Sequence, residues 1–187
     1  RFFAALEAPE VVGRRAAGRA LARLGATRGE SAVLPMVVEA RATGKPDPVV
    51  EKIVAGNHWN DPHNAAVRLI TRGLVELKLL KGSVPRLIKD QAYRKFYMHR
   101  TGHWLGLDVH DVGDYRVGDQ WRLLEPGMVL TIEPGIYIPA HTRGVHRKWW
   151  DIGIRIEDDA IVTANGCELI SRGVPVQPEE IEALMRA

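Results

Sequence analysis

Two apolar, β-rich stretches each carry a carboxylate in their middle, and no other feature restricts this chain as tightly. Residues 128–138 read MVLTIEPGIYI, interrupted at Pro134-Gly135, and residues 152–163 read IGIRIEDDAIVT. Val, Ile and Tyr favour strands, and the second stretch alternates apolar with polar residues at the period of a half-buried strand. Glu133 and Glu157 are therefore expected inside strands. An unpaired carboxylate is costly to bury, so each needs a cation or hydrogen-bond donors. Two sources are open. Arg155 lies two residues from Glu157, on the same strand face, where the two would form a pair on an exposed sheet surface. Alternatively, Glu133, Glu157 and a histidine converge on a metal ion, a ligand set that suits manganese, iron, cobalt or zinc.

The histidines that would join them stand in MHRTGHWLGLDVHDVG, residues 98–113. His99 and His103 are four apart, as on one helical face. Thr101, Gly102 and Gly106 argue against a continuous helix, and glycines here would let backbone approach a crowded site. Three histidines (His99, His103 and His110) within twelve residues of a Gly-punctuated apolar stretch are as compatible with a site as with a structural role.

The rest of the chain reads as α+β. Pro9 and the spacing of Val12, Ala16, Ala20 and Leu24 predict a helix over 9–24. Residues 25–48, with several Gly and Pro, read as loop, and 49–54 as a short helix. Asp61 is expected as an N-cap with Pro62 at the first helical position, and Ala66, Ile70, Leu74 and Leu77 as the buried stripe of a helix ending at Gly82. A short helix is expected over 84–91. Ala164-Asn165-Gly166 signals a hairpin turn with CELI returning after it. PEEIEALMRA closes the chain as a helix with acids in its first turn.

With 187 residues, the chain can bury a core without disulfide or metal. Its single cysteine, Cys167, cannot form an internal disulfide, which fits a reducing cytoplasm. No apolar run approaches the length that spans a bilayer. A formal charge of +3 is too small to point to nucleic acid. The arginines of residues 14–28 read as a solvated helix face rather than a phosphate-binding one. Residues 1–48 are rich in Ala and Arg, whereas all five tryptophans fall between Trp59 and Trp150. The first 48 residues are thus expected to form an atypical segment, distinct from 49–187.

MHRTGHWLGLDVHDVGDY resembles the histidine motif of the bacterial aminopeptidase P family, and LEPGMVLTIEPGIYIP and IGIRIEDDAIVT resemble its two glutamate motifs. GNHWNDPH, RGLVELKLLKG and PEEIEALM extend the resemblance from about Ile53 to Ala187. Prolidase shares a similar VHDVG motif, but HWLGLDVHDVG is closer to aminopeptidase P. The resemblance implies a pita-bread fold, incomplete in its N-terminal half, and release of the N-terminal residue from peptides with proline in second position. It implies that His103, Glu133 and Glu157 ligate divalent metal, usually manganese, with Glu133 also shuttling a proton. By the same resemblance His99 and His110 line the substrate pocket, His110 bonds the scissile carbonyl or the tetrahedral intermediate, and Tyr137 and Arg155 orient the glutamates and substrate. Peptides are the expected partner, with neither nucleic acid nor membrane, and a homo-oligomer is compatible with it.

The family also has a two-aspartate motif upstream, of the general form D-x-G-x-x-Y followed by D-x-T-R-T, which this sequence lacks. Asp47, Asp61, Asp108 and Asp119 do not read as replacements. At most one ion is therefore expected where the family holds two, with weak or no activity for this chain alone. The rival expectation is a degenerate, non-catalytic domain or binding module.

Overall fold

The computed structural model describes residues 47–186, except 172, 176 and 177. The helix expected over 9–24, and all but the last two residues of the segment 1–48, lie outside the described residues. The element order is a 3-10 turn (Val50–Lys52), α1 (Asn60–Glu76), α2 (Val84–Lys89), a second 3-10 turn (Ala92–Lys95), then β1 (Arg116–Val117), β2 (Gln120–Trp121), β3 (Val129–Ile132) and β4 (Gly135–Ile138). A third 3-10 turn (Arg147–Trp149) precedes β5 (Ile152–Arg155), β6 (Asp158–Thr163), β7 (Gly166–Leu169) and α3 (Pro178–Arg186). Among the described residues, no helix is long and apolar enough to cross a membrane.

Helix α1 buries Ala66, Ile70 and Leu74 of the expected stripe, with Val67 beside them, in the main core with Ile132, Ile136 and Val162, whereas Leu77 caps the helix and is only partly buried. Its ends differ from expectation. Asp61 is not the N-cap. That position is Trp59, and the Asp61 carboxylate accepts the backbone N–H of His58, just before the helix, at 2.9 Å. The helix stops at Glu76, before Gly82, because Lys78 enters the left-handed region (φ 62°) and the amides of Leu79 and Leu80 fold back onto the Leu74 carbonyl. The helix expected over 49–54 is a single 3-10 turn, and the one expected over 84–91 ends at Lys89.

Each glutamate-bearing stretch is two strands, the first divided at its expected interruption near Pro134-Gly135 and the second contrary to its reading as one strand. β3, β6 and β7 form one antiparallel sheet, and β4 and β5 form another. The 128–138 stretch breaks at Glu133–Pro134, because proline has no N–H to continue the ladder. The 152–163 stretch breaks at Ile156–Glu157. The expectation that both glutamates lie inside strands is thus corrected. Each sits where its chain passes from one sheet to the other. The β6–β7 hairpin turns at Ala164-Asn165 as expected, with Thr163 paired to Gly166.

Residues 101–105 extend the larger sheet along the free side of β3. The amides of Leu105, Thr131 and Glu133 bond the carbonyls of Val129, His103 and Thr101 at 3.1, 3.0 and 2.6 Å, the alternation of an antiparallel ladder. His99 and His103 are accordingly not on a helix. Gly102 permits this approach: a Cβ there would lie 1.9 Å from the Thr131 carbonyl oxygen.

Candidate metal centre

Antiparallel pairing puts opposite residues on one sheet face. The His103–Thr131 bond, the Thr131↔Asp159 register and the Glu133–Thr101 bond therefore align the histidine strand, β3 and β6 in rows. Continuing the Ile132↔Asp158 register by one residue sets Glu133 opposite Glu157. The outcome is a compact group: ligating atoms of His103, Glu133 and Glu157 all lie within 4.8 Å of one another.

His103 Nδ1 lies 2.8 Å from the Trp104 carbonyl, which can only accept. Nδ1 therefore carries a proton, which leaves Nε2, 3.2 Å from Glu133 Oε1, as the nitrogen a cation would take. Glu133 is buried. Its Oε1 also accepts from Thr131 Oγ1 at 3.1 Å, and its Oε2 accepts from Arg155 Nη1 at 3.0 Å. The Arg155 pairing differs from the exposed Arg155–Glu157 pair considered above. Arg155 lies opposite Gly135 in the β4–β5 register, which delivers its guanidinium to the residue just before Pro134.

Burial raises the pKa of Glu157, and the neighbouring Glu133 and Asp159 raise it further against the opposing pull of His103 and Arg155. Burial likewise raises that of Asp159, with Asp158 and Glu133 adding to it. A group of carboxylates that resists full ionisation when metal-free, beside an imidazole whose Nε2 faces them, matches the donor chemistry of a divalent cation.

The other expected residues border this group. Tyr137 Oη accepts from Arg155 Nε at 2.6 Å and lies 3.0 Å from His99 Nε2. His99 is thus joined to Glu133 through Tyr137 and Arg155. Its pKa is lowered by burial first and by Arg155 second, despite the opposing effects of the Arg100 carbonyl and Glu133. The His110 ring lies 4.3 Å from that of His103, on an exposed loop. Asp108 and Asp119 are exposed, Asp47 accepts the Val49 amide and Asp61 that of His58, so none of the four belongs to the group of three.

Sequence reasoning missed Thr131, Asp159 and Thr101. Thr131 stands two residues before Glu133 and Asp159 two after Glu157, the strand period of two, a signal present in the sequence. Thr101 carries no such mark, because its role comes from its backbone carbonyl.

The sequence profile of metallopeptidase family M24 matches residues 42–164. The chain is 48% identical to the Xaa-Pro aminopeptidase of Haemophilus influenzae over 136 residues, which are 73% of this chain and 31% of that protein. It is 55% identical to that of Escherichia coli over 121 residues, 65% of this chain and 27% of that one. The chain thus spans about a third of the length of these relatives. Among solved structures, a Pseudomonas aeruginosa aminopeptidase aligns with TM-score 0.78 and 54% identity, over 86% of this chain and 35% of its own. A zinc-substituted Escherichia coli aminopeptidase P in complex with product aligns with TM-score 0.74 and 44% identity, over the same shares. The segments that carry the three converging side chains thus form part of a pita-bread fold, and the chain belongs to metallopeptidase family M24.

Proposed function

We propose that this chain carries part of the active site of a metal-dependent aminopeptidase that releases the N-terminal residue from peptides with proline in second position. The convergence of His103, Glu133 and Glu157, in a chain whose relatives are named Xaa-Pro aminopeptidase, carries this reading. His103 Nε2 and the two carboxylates would hold the ion, with manganese the expected metal. A bound divalent cation supplies Lewis acidity toward a carbonyl and toward water.

The chain's own groups do the remaining work. Glu133 takes a proton from the attacking water and returns it to the leaving nitrogen. Its carboxylate is held at both oxygens, by Thr131 and by Arg155, so it is aimed before substrate arrives. His110 bonds the scissile carbonyl or the tetrahedral intermediate. His99 lines the substrate pocket, its ring kept neutral by burial, and Tyr137 and Arg155 fix its position relative to Glu133.

The domain boundary is placed near residue 48, with 49–187 as the C-terminal part of the pita-bread domain. The family match opening at residue 42 supports a start close to that point. A cytoplasmic location rests on the lone Cys167.

Alone, the chain is expected to turn over such peptides weakly or not at all. Among the described residues, the centre offers three ligating side chains, which suits one weakly held ion rather than a pair. The same count favours the second reading, a domain that binds metal or peptide without catalysis. Metal analysis and hydrolysis of a short Xaa-Pro peptide with added manganese, for this chain and its Glu133→Ala variant, decide between them. At most one ion per chain and turnover at the level of Glu133→Ala are expected. Robust turnover abolished by Glu133→Ala would overturn the weak-activity reading, and no ion bound at all would remove the metal centre.

A further inference from the structure

Helix α1 meets the histidine segment through Asn60, which accepts from Arg100, and through His63. His63, in its first turns, sets Nδ1 2.9 Å from Thr101 Oγ1, and the same Oγ1 lies 2.5 Å from the Tyr97 hydroxyl. Thr101 and Tyr97 are buried. The carbonyl of Thr101 in turn accepts the amide of Glu133 at 2.6 Å. One residue therefore connects α1, by its hydroxyl, to the backbone of Glu133, by its carbonyl.

The position of that bond gives it weight. The Glu133–Thr101 bond stands at the end of the ladder between β3 and the histidine strand, because from Gly135 the chain pairs with β5 instead. Upstream of Thr101 the chain is irregular. Its hydroxyl, held by His63 and Tyr97, therefore braces the end of the ladder at the glutamate. A shift there moves Glu133 relative to His103, whose Nε2 is 3.2 Å from Oε1.

The ring of His63 is neutral near pH 7. Burial, reinforced by Arg100, His99 and Arg94, brings its pKa down to about 4. A neutral ring lets the hydrogen bonds run from Tyr97 through Thr101 to His63 or in the reverse direction, so Thr101 keeps both partners in either case.

We propose that His63 is a positioning residue for the metal centre, holding the Glu133 backbone in register through Thr101. It touches neither ion nor substrate. The proposal rests on the metal-centre reading above, but it has a consequence that is independent of metal: the Glu133 amide should exchange faster when His63 can no longer bond Thr101.

The test compares His63→Leu, which keeps bulk without a ring nitrogen, with His63→Gln, whose amide can still reach Thr101, and with Thr101→Val. Two readouts are taken: hydrogen exchange at the Glu133 amide in metal-free protein, and manganese affinity by calorimetry. His63→Leu should speed exchange at Glu133 about tenfold relative to the amides of β6 and weaken manganese binding by about the same factor, the scale of one buried hydrogen bond. His63→Gln should recover most of both effects. Thr101→Val should resemble His63→Leu, and the double variant should be no worse than either single one.

Unchanged exchange and affinity in His63→Leu would overturn the proposal. So would faster exchange spread equally over β6, which marks general loosening, or His63→Gln behaving like His63→Leu. If manganese fails to bind even the unmodified chain, the metal-centre reading falls, and the exchange comparison still decides whether His63 positions Glu133.

Discussion

Gly102→Ala should damage both fold and site. The added Cβ would stand 1.9 Å from the Thr131 carbonyl oxygen and 2.9 Å from its carbon. Ordinary carbon–oxygen contact lies more than an ångström farther out, and the obstacle is backbone in the middle of a ladder, which cannot rotate aside. The histidine strand must therefore back away from β3. The bonds on either side of the clash, Glu133 N–H to Thr101 and Thr131 N–H to His103, start at 2.6 and 3.0 Å. Separation of the strands lengthens both past hydrogen-bonding range. A buried polar group left unsatisfied costs about 1–3 kcal/mol. Two such losses give about 2–6 kcal/mol, a large part of the stability of a typical domain. The reduced entropy of the unfolded chain on replacing glycine returns under about 1 kcal/mol.

Urea unfolding of metal-free protein measures this loss, and calorimetry with manganese measures the consequence for the site, where the 3.2 Å approach of His103 to Glu133 would open. Gly153→Ala is the control. Its Cβ would meet only the Tyr137 ring, at 3.7 Å, an ordinary contact. Should Gly102→Ala lose less than about 1 kcal/mol and bind manganese as the parent does, the histidine strand is not seated against β3 and the geometry of the centre is wrong.

Arg155→Met removes a guanidinium 3.0 Å from the buried Glu133 carboxylate. Because the arginine is half-exposed and partly screened, the expected loss is about 1–2 kcal/mol. A double-mutant cycle with Glu133→Gln in chelator should return a coupling of that order, and a coupling near zero would deny the pair. Glu157→Gln should show opposite signs in two assays. Its pKa is raised by burial and by Glu133, so ionisation at neutral pH opposes folding, and the variant should be more stable metal-free yet weaker for manganese. A loss in both assays would mean that Glu157 is structural. His63 has a folded pKa of about 4, below its unfolded value of 6.5. The unfolded chain therefore binds more protons between these values. The stability tied to a neutral ring is complete above pH 6.5 and is lost as pH falls through the window toward 4, by about 3 kcal/mol at most. The stability difference between the parent and His63→Leu should narrow over that window as pH falls, and a difference independent of pH would refute this. Arg100, His99, Arg94 and Tyr97 face the same ring and remain in both proteins.

Local pattern was enough for α1 and for the β6–β7 hairpin, since an apolar stripe and a two-residue turn are properties of short windows. It failed where a property depends on residues far apart in sequence. The partner of Arg155 was sought two residues away at Glu157, whereas the register Gly135↔Arg155 hands it Glu133. The end of α1 was sought at a glycine, whereas Lys78 adopts the left-handed turn itself. His63 drew no notice because a single histidine on a helix has no signature. Its importance comes from meeting Thr101 across 38 positions of chain.

Pro134 is the feature whose local and global consequences agree most closely. A proline within an apolar run ends a ladder, and here it does so one residue after Glu133, while β5 and β6 separate one residue before Glu157. Both carboxylates thus stand at the crossing between two sheets, released from pairing on one side and fixed by it on the other. Within a continuous strand, each would face its neighbours at ordinary cross-strand spacing. At the crossing they approach His103 closely enough to share one ion, at the cost of burial and mutual repulsion, which together raise the pKa of Glu157. Arg155 relieves that repulsion at Glu133, whereas at Glu157 the pulls of His103 and Arg155 are outweighed and the pKa stays raised. A fold selected for stability alone would replace one of the two glutamates. Retaining both, with Thr131, Arg155 and the Thr101 carbonyl holding Glu133 in place, is the local conflict expected where an arrangement serves chemistry rather than packing.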